Sequence, residues 1–573
     1  MEEFDVVVVG AGWYGLGAAK TYLQLHPDDS ILVLESASSA GGVWSRDRLY
    51  PGLQSNNLLG CYEYSDFPMD TATFGVKPGQ HIPGSVLSKY LTAYAEHFGV
   101  HRHIRFNTRV ESAEERSEGD GWTIVARHTE TDAESTLHTK KLIVATGLTS
   151  QPNMPTFVGQ EEFGGPIFHT KAFADYADTL KTARNVAVLG GSKSAWDAAY
   201  AYATAGIPVD MIIRESGRGP VWMSPPFVTP LKKQLEKLVH TRFLTWLSPC
   251  IWGQEDGFGG VRGFLHGTWF GRKIVDTFWK ILGSDVIDLC GFEKHTEVKK
   301  LKPWQPAFWI GSGLGILNYP TDFFDLVKSG AIRVHTGDIT RLSGKTIHLS
   351  NGTDIKADLL LCATGWKPAP PIKFLPADSE LQLSLPHYSE QPDSLVTKAD
   401  ATILTQLPRL KDQPDTMQFQ RDAAIGTKAP NQPYRLYRFI VPPSSLQKRN
   451  IAFAGMITCL ATSVCAQAQG LWISAYFDGR LDRLASPDDA RWEAVLHSQF
   501  TKWRYPLGYG ALLPDFAFDA MPYVDMLLKD VGVESRRKGS FVKELFEPYS
   551  QKDYAGLIPE WKQRHGDKLG ATQ

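Results

Sequence analysis

The residues whose spacing could do chemistry are glycines. Gly10, Gly12 and Gly15 form a GxGxxG turn directly after the β-branched run at residues 4–9, and a strand at residues 31–35 follows a helix that must stop by Pro27. Gly10 permits a tight turn, Gly12 lets a pyrophosphate approach the backbone, and Gly15 lets the helix pack close on its sheet. The helix start adds unpaired N–H groups and the positive end of a dipole. Glu35, twenty residues after Gly15, stands where a carboxylate accepts hydrogen bonds from ribose hydroxyls. Strand, turn, helix, strand and terminal acid together specify a dinucleotide site.

An imperfect second copy begins with a strand at residues 185–189. It continues as Gly190-Gly191-Ser192-Lys193-Ser194-Ala195, a helix through residues 199–203 and a strand at residues 209–213. Ser192 takes the place of the middle glycine and Ala195 that of the last. A serine narrows the space for a phosphate, though its hydroxyl can donate to one. This unit ends in Arg214 where the first ends in Glu35. An acid repels a ribose 2′-phosphate and an arginine pairs with it, so the second site prefers NADPH; an Arg214 that merely sits on the surface is the plainer alternative.

The elements that must position these turns imply more than one core, since 573 residues exceed what a single core holds. Apolar runs at residues 142–147 and 359–366 each halt at Ala-Thr-Gly, as expected where a buried strand passes its backbone against another domain or a cofactor. The expected fold is α/β, with two dinucleotide-binding Rossmann-like domains, the second inserted into the first. The boundaries are 1–150 and 345–500 for the first domain and 151–344 for the second, with residues 501–573 packing on the first. Within the second, residues 220–319 hold seven of the sixteen tryptophans. That stretch is either a lid or tunnel over a lipophilic substrate or a satellite core.

The remaining composition narrows the partners. A formal charge of −2 supplies no basic field for nucleic acid, so the ligand is small. Six scattered cysteines contain no CxxC pair, and the histidines show neither HExxH nor paired-ligand spacing, which argues against a disulfide framework or a metal. There is no GxSxG nucleophile elbow. The acidic start, running straight into a strand, leaves no room for a signal segment and suggests a cytoplasmic protein. Residues 451–477 carry no charge, yet their Thr, Ser, Gln and Gly content favours a buried strand and helix over a membrane span.

These features resemble the flavin-containing monooxygenases, more closely the fungal FAD-dependent monooxygenases of secondary metabolism, over nearly the whole chain. Residues 163–173, FGGPIFHTKAF, look like that family's FxGxxxH(S/T)xx(Y/W/F) fingerprint between the two turns. The resemblance implies FAD on the first turn, NADPH on the second, and oxygen transfer to a small lipophilic substrate through a flavin C4a-hydroperoxide. Gly42-Val43-Trp44 is similar to a GGxW segment near the flavin, and Val110 to the position that meets the adenine. Leu53-Gln54-Ser55-Asn56 resembles an LxTN segment whose asparagine lies beside the flavin ring and nicotinamide. Asn56 is therefore the candidate catalytic residue: a neutral amide donates to a peroxide oxygen without protonating it. Following Pro51-Gly52, it would equally suit a turn. His169, inside the fingerprint, is assigned conformational or cofactor-positioning work rather than general-base catalysis.

Tyr50-Pro51-Gly52 is similar to the Baeyer–Villiger enzymes. Those enzymes carry an Asp where this chain has Asn56, and usually a Trp where it has Phe173, which favours hydroxylation or heteroatom oxygenation over ester formation. A flavin disulfide reductase would need a redox dithiol, which Cys459 and Cys465 do not supply as CxxC. A non-catalytic flavin-binding scaffold, with NADPH use disabled by Ser192, is the remaining alternative.

Overall fold

The computed structural model describes residues 2–116, 120–228, 232–390, 393–414 and 430–566. Each glycine turn has its own parallel sheet. In the first, the strands run Ile451–Phe453, Glu134–Val144, Glu2–Val9, Ile31–Leu34, Ile104–Arg105, all parallel. An antiparallel branch leaves Glu134–Val144 through Trp122–His128 to Thr108–Glu115. The second sheet runs Ile167–His169, Leu359–Cys362, Val186–Leu189, Val209–Ile213, Ile332–Thr336, again all parallel. Parallel strands covered on both faces favour apolar residues, and Val6, Val7, Val8, Val186, Ala187 and Val188 are all fully buried.

Helices Trp13–Leu25 and Lys193–Thr204 follow the two turns. The first crosses the buried helix Thr462–Phe477 at a pair of glycines: a Cβ on Gly470 would lie 2.9 Å from the Gly17 carbonyl oxygen. The uncharged stretch is thus a core strand and helix, and among the described residues no helix is long and apolar enough to cross a membrane. Helix Ala520–Asp530 packs on it in turn, with Gln469 donating to the Tyr523 hydroxyl at 2.8 Å and Trp472 donating to Asp530 at 3.1 Å. The tail also grips the aromatic-rich stretch, where the buried Arg242 guanidinium meets Asp525 and donates to Glu544 at 2.7 Å.

One expected boundary moves. A return to the first sheet at residue 345 does not occur, because Leu359–Cys362 lies between Ile167–His169 and Val186–Leu189 in the second sheet. Residues Thr346–Leu349 and Asp354–Lys356 join Ile339–Ser343 in an antiparallel ladder. The physical reason is that an apolar run buried on both faces suits either sheet, and its pairing with Ile167–His169 and Val186–Leu189 decides between them. The return follows Gly365, where Trp366–Lys367 pairs antiparallel with the outgoing Gln151–Pro152.

The two Ala-Thr-Gly endings share one cause. A Cβ on Gly10 would sit 2.4 Å from the Ala145 carbonyl oxygen, and one on Gly190 would sit 2.6 Å from that of Ala363. Each apolar strand therefore passes its alanine under the first glycine of a turn.

Candidate active site

The three glycines of the first turn do different work. Gly10 has φ +108° and meets the Ala145 backbone, while a Cβ on Gly15 would lie 1.9 Å from the Gly10 carbonyl oxygen, so both are required by the protein itself. A Cβ on Gly12 would meet nothing closer than the Gly42 Cα at 3.6 Å. Gly12 and Gly42 therefore approach backbone to backbone beside an open mouth; Gly42, at φ +61° and with its Cβ position 3.2 Å from the Gly12 Cα, is required by the protein, whereas Gly12 is the one that a ligand would demand to be bare. Gly12 is the N-cap of its helix and offers no side-chain cap, which leaves N–H donors pointing at that mouth.

This mouth belongs to a cavity of about 850 Å³ lined by Gly10, Gly12, Glu35, Gly42, Val43, Asn56 and Val110. Seven residues named from the sequence thus come together. Glu35 is held by the Ala11 N–H at 2.7 Å and the Ala37 N–H at 2.9 Å. Burial raises its pKa, and these backbone donors oppose that rise. Val110 stands at a bulge in the ladder with Trp122–His128, which turns it into the cavity. Gly15 lies behind the turn. Trp44 does not itself line the cavity: its indole donates to the hydroxyl of Tyr62, which does, at 3.1 Å.

A second cavity of about 420 Å³ is lined by Gly191, Ser192, Lys193 and Ser194. Gly190, at φ +136°, lies behind the turn against Ala363. Ser192 is the N-cap of its helix, and its side chain makes no capping hydrogen bond. Arg214 stands exposed at the end of Val209–Ile213 and is outside the lining; Arg218, four residues on, is within it. Arg218 is anchored by donating to the carbonyls of Leu507 and Gly508 at 2.9 and 2.8 Å. Sequence patterning had no means of finding Arg218, because it lies in the loop beyond the strand end where the pattern stops.

Asn56, Ser312 and Leu314 line both cavities. Asn56 is not in a turn. It lies on strand Gln54–Leu58, whose pairing with His81–Pro83 slips between Gln54 and Leu58, and this irregularity frees Asn56 and Asn57 from a regular ladder. The strand is tied to the second unit through polar contacts that sequence reasoning missed. Lys193 pairs with Asp197 and donates to the Asn318 oxygen at 2.9 Å, and Asn318 donates to the carbonyls of Gln54 and Ser55 at 3.2 and 3.1 Å. Asp197 also accepts from Tyr319 at 3.0 Å and Tyr50 at 3.4 Å. Burial, then the Asp197 charge, holds the Tyr50 hydroxyl far above its ordinary pKa, so it stays a donor.

Two further features lie on the first cavity wall. His169 is buried; its Nδ1 accepts from the Lys171 N–H at 3.1 Å, its Nε2 has no partner among the described residues, and its ring stands edge-on to Trp366 at 4.7 Å. Burial lowers its pKa, which keeps it neutral. It thus touches the strand at which the chain returns between sheets. Glu236, from helix Leu235–Val239, meets the Asn57 amide, and burial pushes its pKa up to about 7.

Residues 7–244 match the family described as pyridine nucleotide-disulphide oxidoreductases. The chain is 34% identical to the FAD-dependent monooxygenase resA of Aspergillus sclerotiorum, over 97% of this chain and 98% of that one. It is 36% identical to an FAD-dependent monooxygenase of Pyrenophora dematioidea, over 94% and 100%. Among solved structures, ε-caprolactone-bound cyclohexanone monooxygenase aligns with a TM-score of 0.61 at 15% identity, over 93% of this chain and 99% of that chain. Steroid monooxygenase bound to NADP aligns at 0.57 and 17% identity, with the same coverage. The fold is that of flavin monooxygenases, and with full-length relatives above 30% identity the chain belongs to the fungal FAD-dependent monooxygenases.

Proposed function

We propose that the chain is an NADPH-consuming monooxygenase in which the cavity of about 850 Å³ takes FAD and the cavity of about 420 Å³ takes NADPH. The observation that carries this reading is the sharing of Asn56, Ser312 and Leu314 by both cavities, which brings the two coenzyme sites to one point. The residues fit FAD on structural grounds: the bare Gly12 at the cavity wall, the uncapped helix start, the buried Glu35 and the inward Val110 suit a pyrophosphate, a ribose and an adenine. When bound, FAD supplies hydride acceptance from NADPH and the activation of dioxygen. In balance, substrate, O2, NADPH and a proton give oxygenated substrate, water and NADP⁺.

The chain's own residues do the rest. Ser192 and the helix start behind it offer donors to the NADPH pyrophosphate, and Arg218, with Arg214 at the rim, supplies the positive charge for a 2′-phosphate. The Asn56 amide donates to developing negative charge on oxygen without losing a proton, which favours transfer over premature release of peroxide. Lys193, Asp197, Asn318 and Tyr50 hold the Asn56 strand in register with the NADPH turn. Leu235, Leu314, Ile316, Ile457 and Leu460 make one wall apolar, which excludes water and suits a lipophilic small molecule of secondary metabolism.

Hydroxylation or heteroatom oxygenation is the favoured outcome, on the neutral Asn56. Baeyer–Villiger insertion is the second reading, prompted by the fold shared with cyclohexanone monooxygenase. Turnover of lipophilic amines, sulfides, phenols and ketones under isotopically labelled dioxygen tests both. One labelled oxygen on nitrogen, sulfur or carbon with the skeleton intact supports the first reading; a labelled ester from a ketone supports the second. Flavin-loaded protein that consumes no NADPH with any of these substrates would oppose both and return the scaffold alternative.

A further inference from the structure

Outside the coenzyme cavities, the aromatic-rich stretch carries large apolar side chains into solvent. Helices Gly259–Gly267 and Trp269–Cys290 form a hairpin whose tip presents Trp269 at 67% and Phe270 at 61% exposure, with Phe264 at 46%. Phe264 and Phe270 are ring neighbours at 6.4 Å. One turn back along the first helix, Val261 leads to Phe258, whose ring meets Phe541 at 6.4 Å and Trp246 at 4.7 Å. Trp246 meets Phe243, and Phe243 meets Phe546 at 5.4 Å. Phe541, Val542 and Phe546 are 63%, 65% and 57% exposed. Two segments more than 250 positions apart in the chain thus converge on one apolar strip. Isolated exposed apolar residues are ordinary, but a contiguous strip of this kind marks a contact surface.

The charges beside the strip select its partner. Lys273 sits over the Trp269 ring at 5.9 Å and Lys543 lies between Val542 and Phe546, both exposed. Nearby carboxylates are already paired inside the molecule: Asp276 with Arg409, Glu547 with Lys538, Glu544 with Arg242. Aromatic rings flanked by two exposed lysines suit a lipid headgroup boundary, where rings sit among the acyl chains and ammonium groups reach anionic phosphates. A second copy of the chain docking through the same face would bring these lysines against each other. We infer that this strip docks the enzyme peripherally on an anionic bilayer surface. The same stretch supplies Leu235 and Glu236 to the wall of the first cavity, and helix Leu235–Val239 runs directly into Arg242–Thr245, which carries Phe243. A short run of chain thus joins the docked face to the cavity wall, and docking itself does not depend on which substrate is turned over.

The test is co-sedimentation of the holoenzyme with unilamellar vesicles of phosphatidylcholine alone and of phosphatidylcholine mixed with phosphatidylserine, with the solution mass measured by light scattering. Binding to the mixed vesicles is expected to exceed binding to phosphatidylcholine by roughly tenfold and to weaken with salt. Trp269→Ala with Phe270→Ala should lower it by roughly tenfold or more at unchanged flavin content. Lys273→Gln with Lys543→Gln should remove most of the phosphatidylserine dependence while leaving the fold intact. Wild-type protein that stays in the supernatant with both vesicles overturns the inference, as does binding that the aromatic pair of substitutions leaves unchanged. A dimer whose mass halves on Trp269→Ala with Phe270→Ala assigns the strip to a second copy and overturns it too.

Discussion

The two nucleotide units share a frame and differ in how they keep their ligand site open. Both pass an alanine backbone under the first glycine, Gly10 over Ala145 and Gly190 over Ala363, and both begin a helix with no side-chain cap. The first unit then spends two more glycines: Gly15 to seat the helix 1.9 Å (Cβ to oxygen) too close for any side chain, and Gly12 to leave the mouth bare. The second carries side chains at both places, Ala195 buried and Ser192 exposed. A tightly seated helix start suits a coenzyme that stays through every turnover, and a looser one suits a coenzyme that comes and goes. The acid that closes the first unit is buried and doubly held, whereas the arginine that closes the second is exposed and backed by Arg218 from a loop.

Substitutions can break this comparison. The largest effect is expected within the first turn. Gly12→Val should abolish FAD retention, lowering affinity by on the order of a thousandfold, while the apoprotein folds, because a Cβ there makes only an ordinary contact with the Gly42 Cα at 3.6 Å. Gly15→Ala should instead cost stability on the order of 3 kcal/mol through its clash with Gly10. Thermal melts of both apoproteins beside flavin titrations check the split, and similar melting losses for the two would show that the glycines do not divide their work.

In the second unit, Arg218→Ala should reduce kcat/KM for NADPH by roughly tenfold to a hundredfold and for NADH little. Arg214→Asp should do less, since Arg214 stands outside the lining. Steady-state ratios for the two coenzymes decide this, and the reverse order would restore the residue expected from the sequence. At the junction, Asn56→Ala should leave flavin reduction by NADPH within about twofold while peroxide release rises by about tenfold, read as NADPH consumed per product.

The smallest effect concerns Glu236. A carboxyl raised from 4.5 to about 7 on folding binds its proton more tightly in the native state, so its contribution is fullest at acid pH and is lost as pH rises through 7. Glu236→Gln should therefore melt close to wild type near pH 5 and above it near pH 8. Parallel curves at the two pH values would remove Glu236 from the protonated state.

Much of the first unit was legible because its parts are local: turn, helix, strand and acid fall within 35 residues, and each role follows from backbone geometry. Leu359–Cys362 was not, since an apolar run ending in Ala-Thr-Gly fits either sheet and only its neighbours decide. Trp44 matched its motif yet turned to Tyr62, a partner 18 residues away that no spacing rule supplies. Asn56 was reached through a resemblance, and the Lys193–Asn318 tie that holds its strand joins positions 125 residues apart, beyond any periodicity. Glu236 gained interest only from burial, which the sequence does not record.

The central claim is that two coenzymes meet at Asn56. Anaerobic mixing of the purified, FAD-loaded enzyme with NADPH, followed by oxygen, tests it most directly. The account predicts loss of the oxidised flavin absorbance on NADPH addition and its return on aeration through a spectrum distinct from both end states. A protein that remains colourless after incubation with excess FAD, or whose bound flavin NADPH fails to bleach, would contradict it.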